Sequence, residues 1–171
     1  MRIAESIEIS APPSAVWEMI TDPSRYLHFM SGMTRWEVAG DGKVMGLGSR
    51  YRTLMRVGSA EVGGLVEVIE WNPECDIAWT SVTGIDQRGR WRLRQRPHGR
   101  TWVELRLSYG VAGSGIGGWL AEMVAAPTIR GHIRRSLQQL KRQVEHEQLR
   151  EAAAARRAAR TSSATSGAAT G

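Results

Sequence analysis

Residues 87–109 read QRGRWRLRQRPHGRTWVELRLSY and hold seven arginines and two tryptophans in twenty-three positions. Arg88, Arg90, Arg92, Arg94 and Arg96 are all at even positions, while Gly89, Trp91, Leu93 and Gln95 take the odd ones. Side chains alternate across a strand, so this spacing puts every arginine on one face and the apolar residues on the other. After the turn signal Pro97-His98-Gly99 the pattern repeats. Val103, Leu105, Leu107 and Tyr109 share one face, opposite Trp102, Glu104, Arg106 and Ser108. A strip so rich in arginine invites comparison with a nucleic-acid surface. A base-stacking platform, however, needs aromatic rings on the arginine face, and Trp91 points away from it. The pattern predicts the solvated side of an antiparallel sheet, with arginines paired to acids such as Glu67 and Glu104, and no specific nucleic-acid site.

Working outward from this hairpin, strand signals cover about 34–39, 49–57, 60–71, 76–83, 87–96 and 101–111, divided by turn residues at 41–42, 57–60, 72–74, 83–86 and 97–99. Upstream, RIAESIEIS alternates as a first strand. APPSAVWEMITDPSRYLHFM predicts two short helices, with prolines in the first turn and Asp22-Pro23-Ser24 ending one helix and capping the next. From Trp119 to about Glu147 the period becomes helical, with Leu120, Val124, Ile133, Leu137 and Leu140 on one face and Pro127 within. Six strands without intervening helices exclude a doubly wound βαβ protein. The expectation is an α+β chain: a curved antiparallel sheet of about seven strands wrapped around one long C-terminal helix, with two short helices after the first strand. Residues 1–147 form a single domain on this reading, and 148–171 a frayed helix end and disordered Ala/Arg/Ser/Thr/Gly tail.

The chain has 171 residues and a net charge of +6. Residues 1–129 hold 14 basic and 14 acidic residues, whereas 130–171 hold nine and three, so the excess belongs to the C-terminal end. That end leaves room for weak contact with anionic membranes or polyanions. Cys75 is the only cysteine, which excludes an internal disulfide and a cysteine-cluster metal site. No apolar run approaches the roughly 20 residues of a membrane helix, and the first residues lack an apolar signal core, which suits a cytoplasmic protein.

The inward faces carry the functional signal. Tyr51, Thr53, Met55, Val66, Trp79, Ser81, Trp91, Leu105, Leu107 and Tyr109 mix large aromatics with hydroxyls, the composition of an apolar pocket with a few polar anchors. Leu120, Val124 and Ile133 of the helix would close it. Catalytic signals are thin. Gly113, Gly115 and Gly118 match G-x-G-x-x-G but follow the last strand, so no βαβ unit forms, and a hinge into the helix is the better reading. His28, His98, His132 and His146 have no metal-ligand spacing, and His132 reads as a surface residue beside the cavity rim. No triad or carboxylate pair stands out, so neither a metal nor a cofactor is expected.

Several segments together resemble a known family: IEISAPPSAVWEMITDPSRYLHFM, GSRYRTLMRV, GLVEVIEWNPECDIAWT, TWVELRLSYG and the terminal GGWLAEMVAAPTIRGHIRRSLQQLKRQVE. They are similar to the START-related (SRPBCC) superfamily, which includes Bet v 1-like proteins and the polyketide cyclase/dehydrase and lipid-transfer group. The resemblance spans about residues 1–147 and implies a helix-grip fold with a cavity between sheet and helix. It further implies binding, and transport, of a hydrophobic small molecule such as a lipid, polyketide or isoprenoid. The alternative it carries is a cyclase or dehydratase using the same cavity, with Tyr51 or Tyr109 supplying a proton or hydrogen bond. A third class is an interaction module acting through the basic end. Fold alone leaves carrier and enzyme both open.

Overall fold

Alternation along the strands builds one antiparallel sheet in the computed structural model, which describes residues 2–40, 45–110 and 116–167, without the side chains of 116–126 and 161–167. The order is β1 (Arg2–Ile9), α1 (Pro13–Thr21), α2 (Pro23–Phe29), β2 (Met33–Val38), β3 (Arg50–Val57), β4 (Ala60–Asn72), β5 (Asp76–Gly84), β6 (Asp86–Arg96), β7 (Arg100–Gly110) and α3 (Ile116–Gly167). Strands β2 to β7 pair consecutively, and β1 closes the far edge against β7. This is a curled half-barrel gripping a long helix, the helix-grip fold. Pro13 opens α1, and the Asp22 carboxylate accepts from the Ser24 backbone N–H at 2.9 Å to cap α2.

The core lies between the concave face and the helices. Trp91, Leu93, Val103, Leu105 and Leu107 from the sheet are buried with Ile129, Ile133, Leu137, Leu140 and Val144 of α3 and with Val16, Met19 and Phe29 of α1 and α2. The even-numbered arginines of β6 lie on the convex side, as alternation predicts. Arg90 forks onto Glu70, while Arg92 and Arg94 reach the nearly buried Asp76 at 3.1 and 3.0 Å. Arg50 pairs with Glu67 at 2.6 Å and Arg106 with Glu104 at 2.9 Å. Burial alone would raise the Asp76 pKa, but hydrogen bonds from Arg92 and Arg94, with their charges, hold it below the usual carboxylate value. Much of the arginine strip is thus neutralised within the sheet.

Two departures from the periodicity matter. The terminal helix does not stop near Glu147 but continues to Gly167, through part of the segment expected to be frayed and disordered. Residues 148–160 are almost all exposed. The high helix propensity of EAAAARRAAR, rather than packing, therefore sustains that extension. The glycines Gly113 and Gly115 of the proposed hinge lie outside the described residues, as do the side chains of Leu120 and Val124.

Candidate functional site

Tertiary packing divides the concave face into an aromatic end and a polar end. The aromatic end lies beneath the junction of α1 and α2. There Ile20, Thr21, Tyr26, Trp36, Tyr51, Val68, Trp71, Ile77, Trp79 and Trp91 line a cavity of about 30 Å³. That space accommodates a water or two, or the edge of a ligand, without rearrangement. Its walls are organised ring against ring. Tyr26 and Trp36 stack at 4.0 Å between centroids and Trp36 and Tyr51 at 4.8 Å, while Trp79 meets Trp36 edge-on at 6.5 Å. Trp91, 1% exposed, donates its indole N–H to the Tyr26 hydroxyl at 2.9 Å, so the one polar atom of the deepest ring is satisfied.

Gly89 explains where Trp79 sits. The two residues are cross-strand partners, and a Cβ built on Gly89 would lie 1.9 Å from Trp79 Cζ2. The indole therefore occupies the space that a side chain at position 89 would fill, and only glycine leaves it open.

Toward the other end of the same face stand Thr53, Ser81, Gln87 and Tyr109. Gln87 donates through Nε2 to Thr53 Oγ1 at 3.4 Å, and its backbone N–H donates to Ser81 Oγ at 3.2 Å. Gln87 and Tyr109 are cross-strand partners, so their side chains share a face. The floor between them is glycine. A Cβ on Gly64 would lie 2.0 Å from the Thr83 carbonyl oxygen, so β4 and β5 approach too closely there for any side chain.

Of the expected ligand residues, Tyr51, Trp79 and Trp91 line the aromatic pocket, whereas Thr53, Ser81 and Tyr109 occupy the polar end. Val66, Leu105, Leu107 and Ile133 are core residues behind and between the two, and Met55 is half-buried near the end of β3. Tyr26, Trp36, Trp71 and Gln87 were not among the expected residues. Even-numbered alternation on β4, through Val62, Gly64 and Val66, would send Trp71 outward. Register shifts in the β4–β5 pairing, at Leu65/Val66 and Val68/Glu70, change the parity, and Trp71 joins the pocket.

Burial raises the pKa of Tyr26, Tyr51 and Tyr109, so at neutral pH these hydroxyls act as hydrogen-bonding groups and not as proton donors to solvent. His132 is not a plain surface residue. It is half-buried, with Nδ1 at 3.0 Å from Ser31 Oγ and 3.2 Å from Arg135 Nη2, where α3 crosses the α2–β2 turn. A guanidinium can only donate, so Nδ1 is the accepting nitrogen and the ring is neutral. Burial, then the Arg135 charge, lowers its pKa. Among the described residues no cluster of three or more His, Cys, Asp or Glu side chains could hold a metal, and no helix is long and apolar enough to cross a membrane.

Comparison with solved structures returns the same architecture. A protein from Thermus thermophilus shares 22% identity at a TM-score of 0.72, covering 84% of this chain and 97% of its own. The Zhui aromatase/cyclase from Streptomyces sp. R1128 shares 17% identity at 0.71, covering 85% and 93%. A START superfamily protein from Mycobacterium smegmatis shares 12% identity at 0.65, covering 84% and 98%. At these identities the likeness concerns fold alone. No curated protein matches the chain. The model of one family, described as polyketide cyclase / dehydrase and lipid transport, matches residues 1–145, and the chain belongs to that family.

Proposed function

We propose that this protein binds and carries a hydrophobic small molecule, of the lipid, polyketide or isoprenoid class, between the concave face and α3. The observation that carries this reading is the pocket walled by Tyr26, Trp36, Tyr51, Trp71, Trp79 and Trp91. So many aromatic rings facing a cavity, with few polar atoms, favour an apolar guest over a polar one. The ligand contacts are Tyr51, Trp79 and Trp91 at one end and Thr53, Ser81 and Tyr109 at the other, with Met55, Leu120, Val124 and Ile133 as further candidates along the cavity. Residues 1–147 carry this function in the cytoplasm, and the basic segment after them makes at most a weak contact with anionic surfaces.

The test is a tryptophan fluorescence titration with fatty acids, isoprenoid quinones and aromatic polyketides, paired with native mass spectrometry of protein from the cells that make it. Saturable, salt-insensitive quenching and a co-purified apolar molecule are the expected results. A panel without any saturable response removes the reading.

A cyclase or dehydratase is the second reading, and the family's description names that activity beside lipid transport. In that case the cavity would hold a reactive chain in the productive conformer, with Tyr51 or Tyr109 hydrogen-bonding a carbonyl. A processed product in place of the intact ligand distinguishes it.

A further inference from the structure

We infer that the row formed by Thr53, Ser81 and Gln87 recognises an uncharged, oxygen-bearing end of the ligand, and that Gln87 is the residue that sets this preference. The inference rests on the ligand-binding reading above and adds to it the polarity and orientation of the guest.

Three observations carry it. First, hydrogen-bonding capacity remains after the internal contacts are made. Gln87 uses one amide N–H on Thr53 Oγ1, and Thr53 donates in turn to the Gly64 carbonyl at 3.4 Å. The Gln87 Oε1, its second amide N–H and the Ser81 hydroxyl proton have no further partner among the described residues. Two donors and one acceptor therefore remain available on the concave side of the sheet, a set that suits a ketone or a hydroxyl.

Second, there is access. Ser81 and Gln87 are half-buried, unlike the sealed core residues Val66 and Leu105, and the intervening floor of Gly64 and Gly84 carries no side chain.

Third, among the described residues no charged side chain stands beside the row on the concave side; the concave-face Glu5, on β1 two strands from Gln87, is paired with Arg130 and Arg134 of α3. Arg50, Arg88 and Arg90 of the neighbouring strands lie on the convex side with Arg52 and Arg56, and Glu67 and Glu70 are paired there. A carboxylate or phosphate brought to the row would lose water without gaining a cation, which is unfavourable in an apolar site.

The spacing fixes an approximate length. Trp91 and Gln87 are four residues apart on β6, roughly 13 Å at the rise of an extended strand, so a guest of about two or three fused rings reaches from the aromatic end to the polar row.

The experiment compares three probes of one shape: 2-acetylnaphthalene, the isosteric hydrocarbon 2-isopropenylnaphthalene, and 2-naphthoate. Each is titrated into the full-length protein and into Gln87→Leu. The wild type should prefer the ketone over the hydrocarbon by about fivefold or more, the worth of one net hydrogen bond, and should bind the carboxylate more weakly than either. Gln87→Leu should erase the preference for the ketone while leaving hydrocarbon affinity unchanged. Thr53→Val, which keeps side-chain shape, should reduce the preference too, and it serves as the readout if Gln87→Leu lowers the melting temperature. Equal affinity for ketone and hydrocarbon, or a preference that survives both substitutions, overturns the assignment of the polar row while leaving ligand binding intact. Tightest binding of the carboxylate overturns it as well. Failure of all three probes to bind removes the ligand reading and this inference with it.

Discussion

Replacing Gly89 with alanine tests the seat of the aromatic pocket directly. The added methyl carbon would sit 1.9 Å from Trp79 Cζ2, 2.1 Å from Cε2 and 2.6 Å from Cη2. Carbon atoms in contact prefer about 3.5–4.0 Å, so the indole must withdraw by roughly 1.5–2 Å. It has little room to do so, because Trp79 is 6% exposed and Trp36 stands edge-on to it. Overpacking of this kind costs about 1–3 kcal/mol. Removing glycine stiffens the unfolded chain and offsets about 0.4–1 kcal/mol of that cost. The net expectation is a loss of about 1–2 kcal/mol, or a fall in melting temperature of roughly 2–8 °C for a chain of this size. Tryptophan emission should shift as the ring moves, and affinity for apolar ligands should fall. The decisive step is the double-mutant cycle. In a Trp79→Leu background the new methyl has open space, so Gly89→Ala should become neutral or stabilising. An equal cost in both backgrounds, or no cost and no spectral change in the wild type, refutes the contact.

Tyr26→Phe should cost about 1–3 kcal/mol in urea unfolding, because it leaves the buried Trp91 indole N–H without its acceptor. Lowering pH from about 7.5 to 5 should weaken the fold through His132. Its folded pKa lies below the unfolded 6.5, so its stabilising contribution is complete above that value and is lost as pH falls toward the folded pKa. His132→Gln should flatten melting temperature across this window, and the lowered pKa of Asp76 acts only at more acidic pH. Deleting 151–171 should leave the melting temperature within about 2 °C, because residues 151–160 are almost all exposed. The same deletion should reduce whatever binding to anionic vesicles the full chain shows at low salt. A larger thermal loss would mean that the helical extension packs on the domain.

Legibility in the sequence tracks the range of the interactions concerned. Strand alternation, the arginine face and the Asp22 cap depend on residues close in the chain, and each is readable from a few positions. The pocket depends on registers that are not. Trp71 enters it only because register shifts in the β4–β5 pairing change the parity of β4, and nothing in EVIEWN announces them. Tyr26 enters through the packing of α2 over the sheet, and Trp36 from the edge strand β2 after a register shift between Met33 and Arg35, with no periodic signal of their own. The helix beyond Glu147 was hidden for the opposite reason. Its propensity is local, but a lack of apolar residues reads as disorder when burial is taken to be the condition for structure.

The division of the concave face follows from the same logic. Gly89 on β6, like Gly64 and Gly84 at the β4–β5 pairing, reads in the sequence as a weak point of a strand. In the fold, Gly89 admits the Trp79 ring, while Gly64 and Gly84 allow a close backbone approach beside Thr53 and Gln87. The first contributes an apolar wall and the second a stretch of sheet without side chains beside polar groups. Because both lie on one continuous sheet face, a guest of the proposed kind would meet them in a fixed order, ring first and oxygen last. Orientation of such a guest would then follow from strand register, and substitutions at the glycines should alter it more than substitutions among the surrounding aliphatic core residues.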